Sequence, residues 1–264
     1  MATTTDTKSL FVSLIRKWHC DLVLDIGSRD GKQSLLFKDA LPGARVVAFE
    51  ANPRNYQKMS VDPLLKGGIT VLACAVSNAD GKATFHIAEA DYEGVETAEN
   101  NLGISSLLVH PGVKTAGTVE VETVRLDTFL RRPEYQPCQS IALWIDVESA
   151  EYWVLEGMRA VAERVRVIHV ETAKSPVRIG QRTYEEVSQL LNSLGFTEIG
   201  SSMEKEANWG DVVFVPNRLL ADARSAQLKA LISNRIRINQ IAVFLKRRSP
   251  FLYRTLRKLF VKGI

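Results

Sequence analysis

Runs of almost continuous apolar residues recur along this chain with helix-like segments between them: Leu22-Val23-Leu24-Asp25-Ile26, Arg45-Val46-Val47-Ala48-Phe49, Thr70-Val71-Leu72-Ala73, Ile141-Ala142-Leu143-Trp144-Ile145 and Val165-Arg166-Val167-Ile168-His169-Val170. A strand with one wet face alternates polar and apolar residues, whereas a strand that is apolar throughout has to be covered on both faces. Strands separated by helices are joined in parallel by crossovers. The pattern therefore predicts an α/β fold with a doubly wound, mostly parallel sheet. Gly195-Phe196-Thr197-Glu198-Ile199 and Asp211-Val212-Val213-Phe214-Val215 follow with only a polar loop between them, which predicts an antiparallel pair on one edge and seven strands in all. Helix starts are legible as well. Asn52-Pro53 offers an N-cap followed by proline at the first helical position, and Thr183-Tyr184-Glu185-Glu186 is a capping box.

One stretch breaks the alternation. From His86 to Glu122 the chain is polar, carries Gly94, Gly103, Gly112 and Gly117, and shows little helical period. It reads as an insertion with short strands over Lys82 to Ala88 and Val119 to Leu126 and a loop of the kind that carries substrate contacts. With 264 residues, 45% of them hydrophobic, the chain can bury one sizeable core. Cys20, Cys74 and Cys138 form no C-x-x-C pair and no even set, so the composition argues against a disulfide framework or zinc site and for a reducing, cytoplasmic setting. The apolar stretch Leu10 to Ile15 is too short for a signal-peptide core, and no run reaches the roughly 20 apolar residues of a membrane span.

The first apolar run ends in Asp25-Ile26-Gly27-Ser28-Arg29-Asp30-Gly31. A strand that turns through two glycines into a helix opens a ligand site at the carboxyl edge of the sheet. The spacing is not the Gly-x-Gly-x-x-Gly of dinucleotide-binding proteins, and Asp25 and Asp30 would repel a pyrophosphate, which weighs against an NAD(P)-dependent oxidoreductase. A cationic sulfonium with an amino acid moiety suits the charge better. Glu50 closes the second run, where a carboxylate can take both hydroxyls of a ribose. The bland reading makes Glu50 a solvated strand-end acid and the glycines a plain turn; it weakens when the two features are taken together.

These stretches, with Val46-Val47-Ala48-Phe49-Glu50-Ala51-Asn52-Pro53, Ala75-Val76-Ser77, Ser105-Ser106-Leu107, Val124-Arg125-Leu126-Asp127, Ile145-Asp146-Val147-Glu148 and His169-Val170-Glu171, run in an order that resembles the FkbM family of methyltransferases over about residues 20 to 215. The resemblance implies a class I, Rossmann-like fold. It implies S-adenosylmethionine as cofactor, held by Asp25, Gly27, Ser28, Arg29, Gly31, Glu50, Ala51 and Asn52, and O-methylation of a sugar or related hydroxyl on a glycan, glycolipid or natural product. The chain departs from the family with Ser28-Arg29 for Ala-Asn, Trp144 for Lys and Ser149 for Gly. The last two are expected beside the substrate edge, and they leave open a non-catalytic binding or scaffold protein.

Methyl transfer is an in-line displacement that needs alignment, and a sugar hydroxyl also needs a base or a metal. Asp146, Glu148 and Glu171 should meet at the carboxyl edge. Either Asp146 or Glu148 accepts the hydroxyl proton, which is the preferred reading, or Asp146 and Glu171 help to hold a divalent cation such as Mg²⁺. A third possibility is that Glu148 or Glu151 only caps the next helix. His169 reads as a core histidine, His86 and His110 fall in or near the insertion, and Trp209 reads as packing at an edge-strand turn. Asp146-Val147-Glu148-Ser149 lacks the Asn/Asp-Pro-Pro-Tyr/Phe turn of enzymes that methylate base amines, so nucleic acid is a poor acceptor.

From Arg218 to the end the chain carries 12 Lys/Arg against one acid, Asp222, leaving 22 bases and 29 acids in the rest. The reading is a methyltransferase domain over 1–217 and a basic helical tail over 218–264. After Ser249-Pro250, Phe251, Leu252, Leu256, Leu259 and Phe260 share one face of an amphipathic helix. Three readings compete for that helix: docking on the body or on a second subunit, lying peripherally on the inner face of an anionic membrane, and binding nucleic acid.

Overall fold

The computed structural model describes residues 5–89 and 103–221; part of the insertion and nearly all of the basic tail, including the expected helix after Ser249-Pro250, lie outside the described residues. In chain order the elements are α1 (Thr7–Lys17), β1 (Leu22–Ile26), α2 (Lys32–Ala40), β2 (Arg45–Phe49), α3 (Pro53–Val61), α4 (Pro63–Lys66), β3 (Ile69–Leu72), β4 (Ala75–Val76), β5 (Gly81–Ala88), β6 (Thr115–Val124), α5 (Leu126–Phe129), β7 (Ile141–Ile145), α6 (Glu151–Gly157), β8 (Val165–Ala173), α7 (Tyr184–Ser193), β9 (Phe196–Ser201), β10 (Trp209–Pro216) and α8 (Asn217–Ala221). Seven strands form the main sheet in the order β3-β2-β1-β7-β8-β10-β9. Every neighbouring pair is parallel except those made by β10, which runs antiparallel to both β8 and β9. β3 and β9 are thus the edge strands, and β10 inserts between β9 and β8, with Trp209 at its start paired to Ala173 of β8 ahead of the first β9 partner at Val212.

The central strands β1 and β7 are buried at every position, as continuous apolar runs require. Their side chains alternate between two cores. Leu22, Leu24, Ile26, Ile141, Leu143 and Ile145 pack with α5, α6 and α7, while Val23, Ala142 and Trp144 pack under α1 and α2. α1 carries Leu10, Phe11, Leu14 and Ile15 at i, i+3, i+4 spacing, all fully buried, and Asp6 caps it by accepting from the Ser9 amide. Each such side chain is worth about 1.5–3 kcal/mol of burial. The two sequence-legible caps form as expected: Asn52 accepts from the Arg54 amide ahead of Pro53, and Thr183 and Glu186 complete the capping box.

The insertion builds a second sheet, with β6 parallel to β4 and antiparallel to β5. A bridge between His86 and Ser106 extends it and lays residues 103–108 along the carboxyl edge of the main sheet. α8 continues straight from β10, and Arg218 donates to the carbonyls of Glu163 and Val165, so the first residues of the basic segment are tied to the body. No helix among the described residues is long and apolar enough to cross a membrane.

Candidate active site

The turn after β1 is organised from beneath by Asp25. Its carboxylate is fully buried and its Oδ2 accepts from Ser28 Oγ at 2.7 Å and Ser34 Oγ at 2.5 Å; burial raises its pKa, and these donors oppose the rise. Gly27 has φ +85°, and a Cβ there would lie 1.8 Å from the Asp146 carbonyl oxygen, so only glycine lets the end of β1 meet the end of β7. Gly31 also has positive φ, and the group that approaches it is Leu65 of α4 rather than a ligand face. Asp25, Ser28 and Gly31 accordingly stand behind the cleft and do not line it, whereas Gly27, Arg29, Glu50, Ala51 and Asn52 do.

That cleft is open to solvent and runs along the carboxyl ends of β1 and β2. Glu50 is its organising acid. Oε2 accepts the Arg29 amide and Oε1 the Asn52 amide, each at 2.7 Å, which holds the carboxylate in one orientation with acceptor capacity to spare. Burial pushes its pKa up to about 7 against the pull of those two amides and of the Asn55 side chain. The opposite walls come from Cys74, Ala75 and Phe85 and from Gly103, Ser105 and Leu107 of the insertion.

The carboxylates of Asp146, Glu148 and Glu171 come together, with one oxygen of each within 4.8 Å of the other two. Asp146 follows β7, Glu171 lies near the end of β8, and Glu148 stands in a left-handed conformation at φ +56°, followed by Ser149 at +86°. Burial first, and then the charges of the neighbouring acids, raise the pKa values of Asp146 and Glu171. Glu151 is pushed to about 8 mainly by burial; its Oε1 accepts the Ser149 amide, so Glu151 is the acid that caps this turn and Glu148 is not. A second cleft, lined by Glu148, Ser149, Glu151, Glu171, Thr172, Gln181 and Trp209, adjoins the first, and Glu148 lines both.

Two braces hold Glu148. Ser106 Oγ donates to its carbonyl oxygen at 2.6 Å, and Arg178 Nη2 lies 3.3 Å from its Oε2 while donating to the Ile104 carbonyl at 2.7 Å. Arg178 is buried, and Gln181 Oε1 accepts from the amides of Val177 and Arg178. Nothing in the local sequence around Arg178 distinguishes it. The Ser105-Ser106-Leu107 motif did mark its stretch, but not the anchoring of Glu148. Trp144 does not reach the substrate edge: it is buried among Phe11, Phe37 and His169, stacked on the imidazole at 3.5 Å between ring centroids. His169 is a core residue, kept neutral by burial with a pKa near 3, and its Nε2 lies 3.2 Å from Thr7 Oγ1. His110 accepts the Gly112 amide and lines neither cleft.

Residues 25–198 match the methyltransferase FkbM domain model. The chain is 27% identical over 187 residues to the 2-O-methyltransferase NoeI of Sinorhizobium fredii, covering 69% of this chain and 75% of that protein. It is 31% identical over 180 residues to the methyltransferase sdnD of Sordaria araneosa, covering 57% of this chain and 65% of that one. Among solved structures, magnesium protoporphyrin IX methyltransferase from Synechocystis PCC 6803 with bound S-adenosylmethionine aligns over 80% of this chain and 79% of its own at 12% identity, with a TM-score of 0.42. The family match spans the glycine turn, Glu50, both cleft walls and the strand-end acids, and the chain belongs to the FkbM family of S-adenosylmethionine-dependent methyltransferases.

Proposed function

We propose that this enzyme methylates a hydroxyl of a sugar or related polyol, on a glycan, glycolipid or natural product. The observation that carries the reading is the meeting of Asp146, Glu148 and Glu171 where the two clefts join, with Glu148 common to both. S-adenosylmethionine supplies an electrophilic methyl group. The fit of the first cleft to it rests on Glu50, a carboxylate held in one orientation at the end of β2 where a ribose hydroxyl can donate to it, and on the acidic surroundings for a sulfonium. Gly27, Arg29, Ala51 and Asn52 shape the walls of that cleft, while Asp25, Ser28 and Gly31 hold the turn from behind.

The acceptor's own difficulty is its proton. A sugar hydroxyl is a weak acid, and a carboxylate with a raised pKa beside it accepts that proton at near-neutral pH better than an ordinary one. Asp146 and Glu148 are the candidates for this role, with Glu171 sharing the charge of the cluster. The same three acids also support a second reading, in which Asp146 and Glu171, with Glu148 beside them, would hold a divalent cation such as Mg²⁺ that would acidify the hydroxyl. Direct acid–base chemistry remains the preferred one.

A labelled-methyl transfer assay over glycans, glycolipids and small hydroxyl compounds tests the reading. S-adenosylmethionine should bind with roughly −8 kcal/mol, and Glu50→Ala should weaken it by about 1–3 kcal/mol. Asp146→Asn should abolish most turnover with cofactor affinity nearly intact. Wild-type turnover in Asp146→Asn would remove the strand-end acids from the chemistry. Loss of activity with a chelator, restored by Mg²⁺, would replace the direct mechanism with the cation.

We also infer a division into a catalytic body over 1–217 and a basic tail over 218–264, with the tail as a peripheral contact to an anionic membrane or a second subunit and the protein otherwise cytoplasmic. Its support is the charge asymmetry of the sequence and the apolar face from Phe251 to Phe260. Deleting 249–264 should reduce sedimentation with anionic vesicles in a salt-dependent way, or change the mass seen by light scattering. A truncated protein unchanged in both respects would rule out both contacts.

A further inference from the structure

The second cleft is a ring of carboxylates, hydroxyls and an amide, with one large apolar side chain among them. Trp209 lines it and is 38% exposed; of the chain's four tryptophans, all within the described residues, it is the exposed one. In the antiparallel register Trp209 faces Ala173 and Asp211 faces Glu171, so the indole and the Glu171 carboxylate are diagonal neighbours on one face of the sheet. Its backbone is fixed. The Lys174 amide donates to the Asn208 carbonyl at 2.7 Å, Asn208 Oδ1 accepts the Ser175 amide at 2.9 Å, and Asn208 Nδ2 returns a bond to the Ser175 carbonyl at 3.1 Å. On the other side Met203 lies 2.6 Å from where a Gly210 Cβ would stand, so the returning loop is packed against the strand. A rigidly mounted, half-exposed indole beside hydrogen-bonding acids is not explained by core packing.

We propose that Trp209 is the acceptor-positioning wall of this cleft, its ring face taking the C–H face of an uncharged pyranose while Glu148, Glu171, Thr172 and Gln181 take the hydroxyls. The proposal rests on the O-methylation reading and adds a residue and a charge requirement to it. A flat aromatic face suits the apolar side of a sugar ring, and carboxylates suit its hydroxyls. An anion brought here would meet the cluster's remaining negative charge or hold its acids protonated and so remove the base. A uronate or phosphosugar placed here would face Glu148 and Glu171, with Asp146 behind them, and Arg178, the cation paired with Glu148, is also engaged by the Ile104 carbonyl. The acceptor is therefore an uncharged sugar, and Trp209 sets its angle to Glu148.

Transfer of labelled methyl to a panel of neutral methyl pyranosides and to the matching uronates tests this, with cofactor affinity measured by calorimetry on the same preparations. The expected result is transfer to a neutral pyranoside, with kcat/KM for the uronate at least about tenfold lower. Trp209→Ala should raise KM for the neutral acceptor about tenfold, equivalent to about 1.4 kcal/mol, with cofactor affinity unchanged, and Trp209→Phe should recover most of that loss. An unchanged KM in Trp209→Ala, a preference for the uronate, or no transfer to any pyranoside by a wild-type protein that binds cofactor would overturn the proposal. Transfer to a non-sugar hydroxyl in that last case would leave methyl transfer standing without it, whereas failure to bind cofactor would remove the functional reading itself.

Discussion

Ser149 is a residue in a glycine's conformation. Its φ of +86° lies in the left-handed region, and the family pattern it resembles has glycine at this place. An L side chain held there costs about 1–2 kcal/mol, while a glycine would add about 0.5–1 kcal/mol of unfolded-chain entropy. Ser149→Gly should therefore stabilise the fold by up to about 1 kcal/mol, raising Tm by about 2–4 °C. A lower Tm in calorimetry would show that the serine hydroxyl holds something more valuable than the strain it costs. The preceding Glu148, also left-handed, has no such simple remedy because its carboxylate is part of the acid cluster. Two strained residues in succession at a site of chemistry fit the general finding that strain is held where surrounding structure fixes it, here the Ser106 and Arg178 braces.

At the scale of elements, what could be read in advance was whatever depends on neighbours in sequence. Apolar runs marked β1, β2, β3, β7, β8, β9 and β10 but not β4, and Asn52-Pro53 and the Thr183/Glu186 box marked the starts of α3 and α7, because periodicity and capping are local. α1 goes unread: Leu10 to Ile15 weighs only as a stretch too short for a signal-peptide core, although Leu10, Phe11, Leu14 and Ile15 bury one helical face. The place of β10 between β8 and β9 was not legible, since strand order is decided by which surfaces bury one another across the sheet. The same division holds for the site. Glu50 and Asp146 announce themselves at strand ends, but Arg178 reaches Glu148 from the loop before α7, and the side of the sheet on which Trp144 lands is fixed by the register of β7 against β1 and β8. Contacts that close over long sequence separations leave little trace in either partner's local pattern.

Across the whole molecule the acids dominate the response to pH. Burial holds the pKa of Glu50 at about 7 and that of Glu151 at about 8, and raises those of Asp146 and Glu171 as well. An acid whose pKa is higher folded than unfolded contributes stability that is complete below its unfolded value and is lost as pH rises through its folded value. His169 works in the opposite direction: with its pKa lowered to about 3 it costs stability as pH falls below 6.5. Between about pH 6.5 and 8 only the acids act, so the cofactor-free protein should lose thermal stability steadily across that window, and Glu171→Gln should flatten the slope. A Tm that stays level from pH 6.5 to 8 at constant ionic strength would mean that these carboxyls are already ionised or neutralised by a bound cation.

The contact between Gly27 and the Asp146 carbonyl bears on how such an enzyme can change its substrate over evolutionary time. The glycine turn and the strand-end acids share one backbone joint with no space between them, and the Asp146 amide is further tied to the Ile26 carbonyl. A backbone shift that re-aims Asp146 drags the turn after β1 with it. New acceptor preferences are thus confined to parts that can vary without moving that joint: the inner face of the insertion around residues 103–108, the loop that carries Arg178 and Gln181, and the indole at the start of β10.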